Sequence, residues 1–157
     1  MMAFFTWLQN TPFSMWIVSS DSIWAYPSIL TAHTVGLGLL VGAAFVIDLR
    51  ILGVAPEVPM ASLQRLYTYA WLGFYINLVS GLLLFASEAA DKATQPIFMV
   101  KLAFVFAGVI VSRMIQNRAF KTTGLDLSRL RMLASLSLFI WAGAITSGRL
   151  MAYLSNK

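Results

Sequence analysis

Four long apolar stretches, separated by short polar links, organise this chain. They span about 23–52, 63–89, 96–120 and 130–154. Each is long enough to cross a bilayer core, which needs about 20 residues of helix. Because backbone groups in lipid must be hydrogen-bonded within their own segment, each stretch is predicted to be a transmembrane helix. Links this short favour antiparallel neighbours, so we predict an all-α membrane protein, a four-transmembrane-helix antiparallel bundle in a single domain, 1–157.

The segment before the first apolar stretch, residues 1–22, has a different pattern. It interleaves aromatic and polar residues, beginning MMAFFTWLQN, and lacks the basic start and cleavage site of a signal peptide. Thr11 can cap a helix, and Pro12 suits its first turn. Aromatic side chains of this kind are enriched at membrane–water interfaces. We predict a short interfacial helix here, with packing onto the bundle as the alternative.

Composition supports a membrane protein. Hydrophobic residues make up 59% of the chain and charged residues 11%, against about 25% charged residues in soluble domains. The net charge of +5 comes from basic residues at the ends of apolar stretches, which form no basic face or arm. Nucleic acid binding is therefore excluded. The chain has no cysteine, so disulfides and thiolate metal sites are excluded as well.

The placement of basic residues predicts an orientation. Seven flank the first and third links: Arg50, Arg65, Arg113, Arg118, Lys121, Arg129 and Arg131. Four flank the opposite ends of the helices: Lys92, Lys101, Arg149 and Lys157. Because cytoplasmic loops carry the excess of Lys and Arg, those two links are predicted to be cytoplasmic and both termini periplasmic, in a bacterial inner membrane.

Polar residues inside the apolar stretches mark a candidate site. His33 is the single histidine and lies about ten residues, roughly 15 Å, inside the outer end of the first helix. Asn77 lies at a similar depth on the second helix. Polar residues within membrane helices face the bundle rather than lipid. We predict one polar site in the outer half of the bundle, with Glu88 nearby. Its members are His33, Asn77, Lys101, Trp141, Arg149 and Tyr153.

Three uses of His33 are open. A charge at the centre of a membrane helix costs about 2.5–3.5 kcal/mol, so a neutral imidazole is expected. It could bind the iron of haem b, with Lys101 and Arg149 pairing the propionates, although one histidine cannot supply two axial ligands within one chain. It could instead bind a quinone. It could also be structural, hydrogen-bonding Asn77 or a backbone carbonyl to fix the helix register.

Other features favour structural roles. No Ser/His/Asp arrangement, paired carboxylates or metal-ligand cluster is present, so we do not predict an enzyme. Asp48 and Arg113 are predicted to form a structural ion pair near the cytoplasmic end. Gly38 and Gly42 form a GxxxG pair, which predicts close packing with a helix of the bundle or of a second copy.

Four stretches that together cover nearly the whole chain resemble a known pattern: AHTVGLGLLVGAAFVIDLRILG, WLGFYINLVSGLLLFASEAA, PIFMVKL and LFIWAGAITSGRLMAYL. Together they resemble an uncharacterised family of small four-helix bacterial inner-membrane proteins, a domain of unknown function. The chain is also loosely similar to cytochrome b and copper-resistance membrane domains, although it lacks their multiple histidines. The positions matching that family pattern are His33, Asp48, Arg50, Gly81, Phe85, Lys101, Trp141, Gly148, Arg149 and Tyr153.

These observations together predict a small integral membrane subunit. Its outer polar site is expected to bind a redox cofactor, haem b or a quinone, for an electron-transfer partner. The first alternative is a structural or assembly subunit without a cofactor of its own. The second is a small transporter component. Expected partners are the lipid bilayer and either further copies of the chain or other membrane subunits.

Overall fold

A computed structural model describes residues 2–121 and 126–154 of the protein. All regular structure in this part of the chain is helical, which confirms the predicted all-α class. The helices are α1 (Met2–Gln9), α2 (Pro12–Ser19), α3 (Tyr26–Leu52), α4 (Met60–Leu63), α5 (Leu66–Ser87), α6 (Ala89–Ala93), α7 (Pro96–Lys121) and α8 (Leu127–Leu154). Lys157 and most of the third link, which entered the orientation prediction, lie outside the described residues.

Four segments are long and apolar enough to cross a membrane. They are Tyr26–Leu52, Met60–Ser87, Pro96–Phe120 and Leu127–Leu154. The protein is therefore a small multi-pass membrane protein, and a four-helix bundle is consistent with these spans. The orientation and the kind of membrane stay predictions.

The helix ends differ from the predicted ones for local reasons. The first span begins at Tyr26 rather than 23, because the residues before it form a turn in which the Ala25 amide donates to Ser22 O. The second span ends at Ser87. There the backbone of Glu88 leaves the helical region (φ −132°, ψ 30°), and the chain continues as the short helix α6. The fourth span starts three residues early, because the Asp126 carboxylate accepts the Arg129 amide at 3.2 Å as an N-cap.

The first link is held by the end of α3. Gly53 has φ +103°, a conformation that favours glycine, and the following amide of Val54 donates back to Leu49 O at 3.0 Å. Arg50 then donates to two carbonyls of the link, from Nε to Val58 O at 2.6 Å and from Nη2 to Pro56 O at 2.7 Å. This arginine therefore organises the link as well as carrying one of its positive charges.

The chain divides into two compact units. The first comprises residues Met1–Leu40 and Trp71–Gln95, and the second comprises Val41–Ala70 and Pro96–Lys157. The first unit thus contains α1, α2, the first half of α3, most of α5, and α6. The second contains the remainder of α3, α4, the start of α5, α7 and α8.

In the first unit, α3 and α5 cross with their backbones in contact. A Cβ on Gly36 would lie 2.9 Å from Gly73 O, and a Cβ on Gly73 would lie 2.6 Å from Gly36 O. Nearby, His33 faces Ser80. Because residue numbers fall on α5 as they rise on α3, the two helices are antiparallel. Glycine at both positions is what allows this close approach.

In the second unit, α7 and α8 form a second antiparallel pair. A Cβ on Gly108 would lie 2.9 Å from ring atoms of Trp141, and a Cβ on Gly143 would lie 2.7 Å from the ring of Phe104. Each glycine therefore receives an aromatic ring from the opposite helix. This interlocking of a small residue with a large one fills the interface without a void.

The N-terminal helices pack onto the first unit and also expose aromatic side chains. Phe5 of α1 meets Phe85 edge to face, with ring centroids 6.0 Å apart, and Gln9 Oε1 accepts the Ala90 amide of α6 at 2.9 Å. Trp7 and Trp16 are largely exposed. The predicted alternative, packing onto the body of the protein, is therefore seen for α1. Its exposed aromatic face also suits the predicted interfacial position.

Candidate functional site

His33 lies at the centre of a small hydrogen-bonded cluster in the first unit. Its Nδ1 is 3.1 Å from Ser80 Oγ, and its backbone carbonyl accepts a hydrogen bond from Asn77 Nδ2 at 2.9 Å. The imidazole is half-buried, and Ser80 is buried. The close crossing of α3 and α5 brings these side chains together. Asn77 therefore contacts His33 through the backbone of His33, and the predicted hydrogen bond to the imidazole itself stays a prediction.

The bonding of the Ser80 hydroxyl favours one tautomer of His33. A hydroxyl has one hydrogen, and that of Ser80 donates to Ile76 O at 2.6 Å, with Asn77 O a longer alternative at 3.3 Å. Both carbonyls can only accept, so the Ser80 oxygen is left to accept from the imidazole. From this arrangement we infer that Nδ1 carries the proton of a neutral His33 ring, which places the lone pair on Nε2.

Gly81 makes room for the imidazole. A Cβ at this position would lie 3.1 Å from His33 Cε1 and 3.5 Å from Nδ1. The first of these distances is closer than an ordinary van der Waals contact, so a side chain at position 81 would press on the ring edge. The lack of a side chain at Gly81, together with the Ser80 oxygen, sets the position of the His33 ring.

Four members of the predicted site lie in the second unit. Trp141 is fully buried, with Nε1 donating to Ser112 Oγ at 3.4 Å, whereas Arg149 and Tyr153 are exposed. Lys101 lies beside Gly148, where an added Cβ would be 3.7 Å from its Cε. The grouping of these four residues with His33 and Asn77, and their role in binding a cofactor, stay predictions.

Glu88 lies in the first unit beside an open surface pocket. Its carboxylate pairs with Lys92 at 3.2 Å, and it lines a cavity of about 340 Å³ together with Tyr26 and Asp21. The pocket combines acidic, hydroxyl and apolar groups, and its members come from the end of α2, the turn that follows it, the start of α3 and the residue after α5.

Asp48 and Arg113, the predicted structural pair, both lie in the second unit. Arg113 Nη1 donates to Gln116 Oε1 at 2.8 Å, while Asp48 is 1% exposed. The ion pairs seen between described residues join Lys92 to Glu88 and Arg129 to Asp126. A direct Asp48–Arg113 pair therefore stays a prediction.

Ser80 is the member of the His33 cluster that the sequence interpretation left out of the candidate site. The signal for it was present, because Gly73, Asn77, Ser80 and Gly81 follow the spacing that places residues on one helix face. A serine within a membrane helix usually satisfies its hydroxyl on its own backbone, which makes it inconspicuous. Its second role appears only when α3 is packed against it.

Comparisons with protein families, curated proteins and solved structures give no match for this chain. The resemblance described above therefore stays a prediction. Within residues 2–121 and 126–154, no three or more histidine, aspartate or glutamate side chains are gathered in a way that could hold a metal ion.

Proposed function

We propose that the protein is a small membrane subunit that binds a redox cofactor through His33, with haem b as the favoured group. The observation that carries the proposal is the contact between His33 Nδ1 and Ser80 Oγ at 3.1 Å, together with the Ser80 hydroxyl bond to Ile76 O, from which we infer the tautomer of His33. With Nδ1 donating to Ser80 Oγ, the neutral imidazole presents its lone pair at Nε2. Iron binds the imidazole of an axial histidine through such a lone pair. Ligating histidines almost always donate their other ring N–H to a fixed acceptor.

The same tautomer favours haem over an oxidised quinone as the ligand of His33. A quinone carbonyl needs a hydrogen-bond donor, whereas Nε2 of the neutral ring accepts. His33 in this form suits a metal or the hydroxyl of a quinol. A bound haem would carry one electron at a time, and the second axial position would fall to a methionine, to an open site or to His33 of a second copy. The role of the chain is to orient the imidazole and keep it neutral.

An absorption spectrum of the protein in mild detergent, oxidised and then reduced with dithionite, tests the proposal. We expect a Soret band and reduced α and β bands that are lost in His33→Ala. Thr34→Ala is the matched control, because Thr34 is exposed and its hydroxyl bonds only Leu30 O on its own helix. Bands of equal strength in His33→Ala would rule out His33 as the ligand. A protein without bands, and without extractable quinone, would exclude the cofactor proposal.

Replacing Ser80 tests the tautomer directly. Ser80→Ala removes the acceptor of the His33 Nδ1 proton, so cofactor affinity is expected to fall about 10–100-fold, as for other lost partners of ligating histidines. Ser80→Thr keeps the hydroxyl and should retain most of the affinity. Titration of the cofactor into the apo-protein measures both variants. Equal losses in the two variants would show that crowding around position 80, rather than the hydrogen bond, controls binding.

A structural subunit is the second candidate. The bond from Asn77 Nδ2 to His33 O joins two helices directly, as polar groups do when they fix packing in a membrane. This function predicts a partner protein that co-purifies with the chain. His33→Ala would then lower the yield of the complex without changing any absorption band.

A further inference from the structure

Asp48 is a buried acid that the proposed cofactor function does not use. It lies on α3 one turn before the helix ends at Leu52, and it is 1% exposed. Within the part of the chain that the structure describes, its Oδ2 makes no hydrogen bond of regular geometry. A carboxylate buried among apolar side chains is strongly disfavoured unless another group neutralises its charge.

Ser137 of α8 faces the same place. Its side chain is fully buried beside the Asp48 carboxyl, close enough to interact with it, and among the described residues its Oγ makes no hydrogen bond of regular geometry. Serines in membrane helices usually donate to their own backbone, as Ser147 does on the same helix by bonding Ala144 O at 3.0 Å. The two neighbouring oxygens of Asp48 and Ser137 therefore have only each other as partners in one buried position.

Helices α3, α5, α7 and α8 contribute side chains to the interior of the second unit. The buried phenol of Tyr67, on α5, is a titratable group near Asp48, and its ring meets Phe120 of α7 edge to face at 5.6 Å. On α7, the Ser112 hydroxyl accepts from Trp141, and Arg113 donates to Gln116. Buried apolar side chains make up most of the remaining interior of this unit, including Ile47, Ile115 and Ala134.

We propose that Asp48 and Ser137 form an intramembrane binding site for a small monovalent cation, a proton or Na⁺. A proton would turn the carboxylate into a neutral acid whose O–H donates to Ser137 Oγ. A sodium ion would take the carboxylate oxygen and the hydroxyl oxygen as two of its hard oxygen ligands. Either cation neutralises the carboxylate and gives both buried oxygens a partner, and the buried phenol of Tyr67 lies near the carboxyl.

Carbodiimide labelling of the full chain in detergent tests this site. Dicyclohexylcarbodiimide enters apolar regions and reacts with a protonated carboxyl, and mass spectrometry of peptides locates the adduct. We expect an adduct on Asp48 that increases from alkaline to mildly acidic pH and is absent in Asp48→Asn. The exposed Glu57 of the first link serves as the control for a water-soluble carbodiimide. Labelling is compared in sodium chloride and choline chloride at equal ionic strength.

Comparing the two salts shows which cation the site binds. Loss of the Asp48 adduct in sodium chloride alone identifies a sodium site, whereas equal labelling in both salts identifies a proton site. Infrared spectra of wild type and Asp48→Asn provide a second readout that needs no reagent access. The carboxylic acid band missing from Asp48→Asn should shift in Ser137→Ala. An Asp48 that is never labelled and shows no acid band or sodium-dependent carboxylate band at any pH would overturn the proposal.

Discussion

Replacing Gly73 with alanine is expected to separate α3 from α5 and to destabilise the protein strongly. The new Cβ would lie 2.6 Å from Gly36 O and 2.7 Å from Leu40 N, which are backbone atoms that no rotamer change can move. Overpacking of this kind typically costs about 1–3 kcal/mol. The separation of the helices also weakens the hydrogen bond between Asn77 and His33 O, so we expect the free energy of unfolding to fall by at least this amount. Thermal unfolding in detergent measures it.

Gly38→Ala is the matched control for this effect. Gly38 lies on α3 as well, and an added Cβ there has nothing within 4 Å. Replacing a helical glycine by alanine in open space gains up to about 1 kcal/mol, so Gly38→Ala should leave the unfolding temperature unchanged or raise it. Equal destabilisation by the two substitutions would show that glycine acts through helix flexibility rather than through close packing.

Replacing Trp141 with alanine is also expected to destabilise the protein strongly. The indole is fully buried, packs directly on Gly108 and donates to Ser112 Oγ. In a membrane the unfolded ring would meet lipid rather than water, so most of the cost comes from lost packing and from the cavity. We expect the free energy of unfolding to fall by about 3 kcal/mol, the lower end of the range for truncation of a buried tryptophan to alanine.

Phe139→Ala controls for the removal of an aromatic ring from the same helix. Phe139 is 71% exposed and makes few contacts within the protein, so its loss should change stability little. Denaturant titration followed by the remaining tryptophans and by helix content compares the two variants. A Trp141→Ala protein as stable as Phe139→Ala would mean that the indole does not support the pairing of α7 and α8.

The sequence predicts the long helices well because their signal is local. An uninterrupted apolar stretch needs no knowledge of the rest of the chain, and the cap at Thr11 is likewise visible in the residues themselves: its hydroxyl accepts the Ser14 amide at 3.3 Å. The break at Glu88 carries no proline or glycine. It is therefore absent from the sequence-based prediction, which extends the second span to Ala89.

The candidate site is only half predictable for a different reason. Hydropathy and helix periodicity identify His33 and Asn77 as polar residues on inward faces. The role of Ser80 depends on which residue of α3 packs opposite it, which is set by the contact between Gly36 and Gly73. The two neighbouring buried oxygens of Asp48 and Ser137 are likewise a property of packing. A pattern that records one helix at a time cannot show an interaction between two helices.

The contact between α1 and α6 has a consequence for how the chain is made. Gln9 is synthesised 81 residues before Ala90, whose amide it accepts. The contact can therefore form only after the whole of α3 and α5, which separate the two residues, has been made. Docking of α1 on α6 thus follows the synthesis of two membrane spans, and it takes place beside Ala89, which is fully buried in the finished protein.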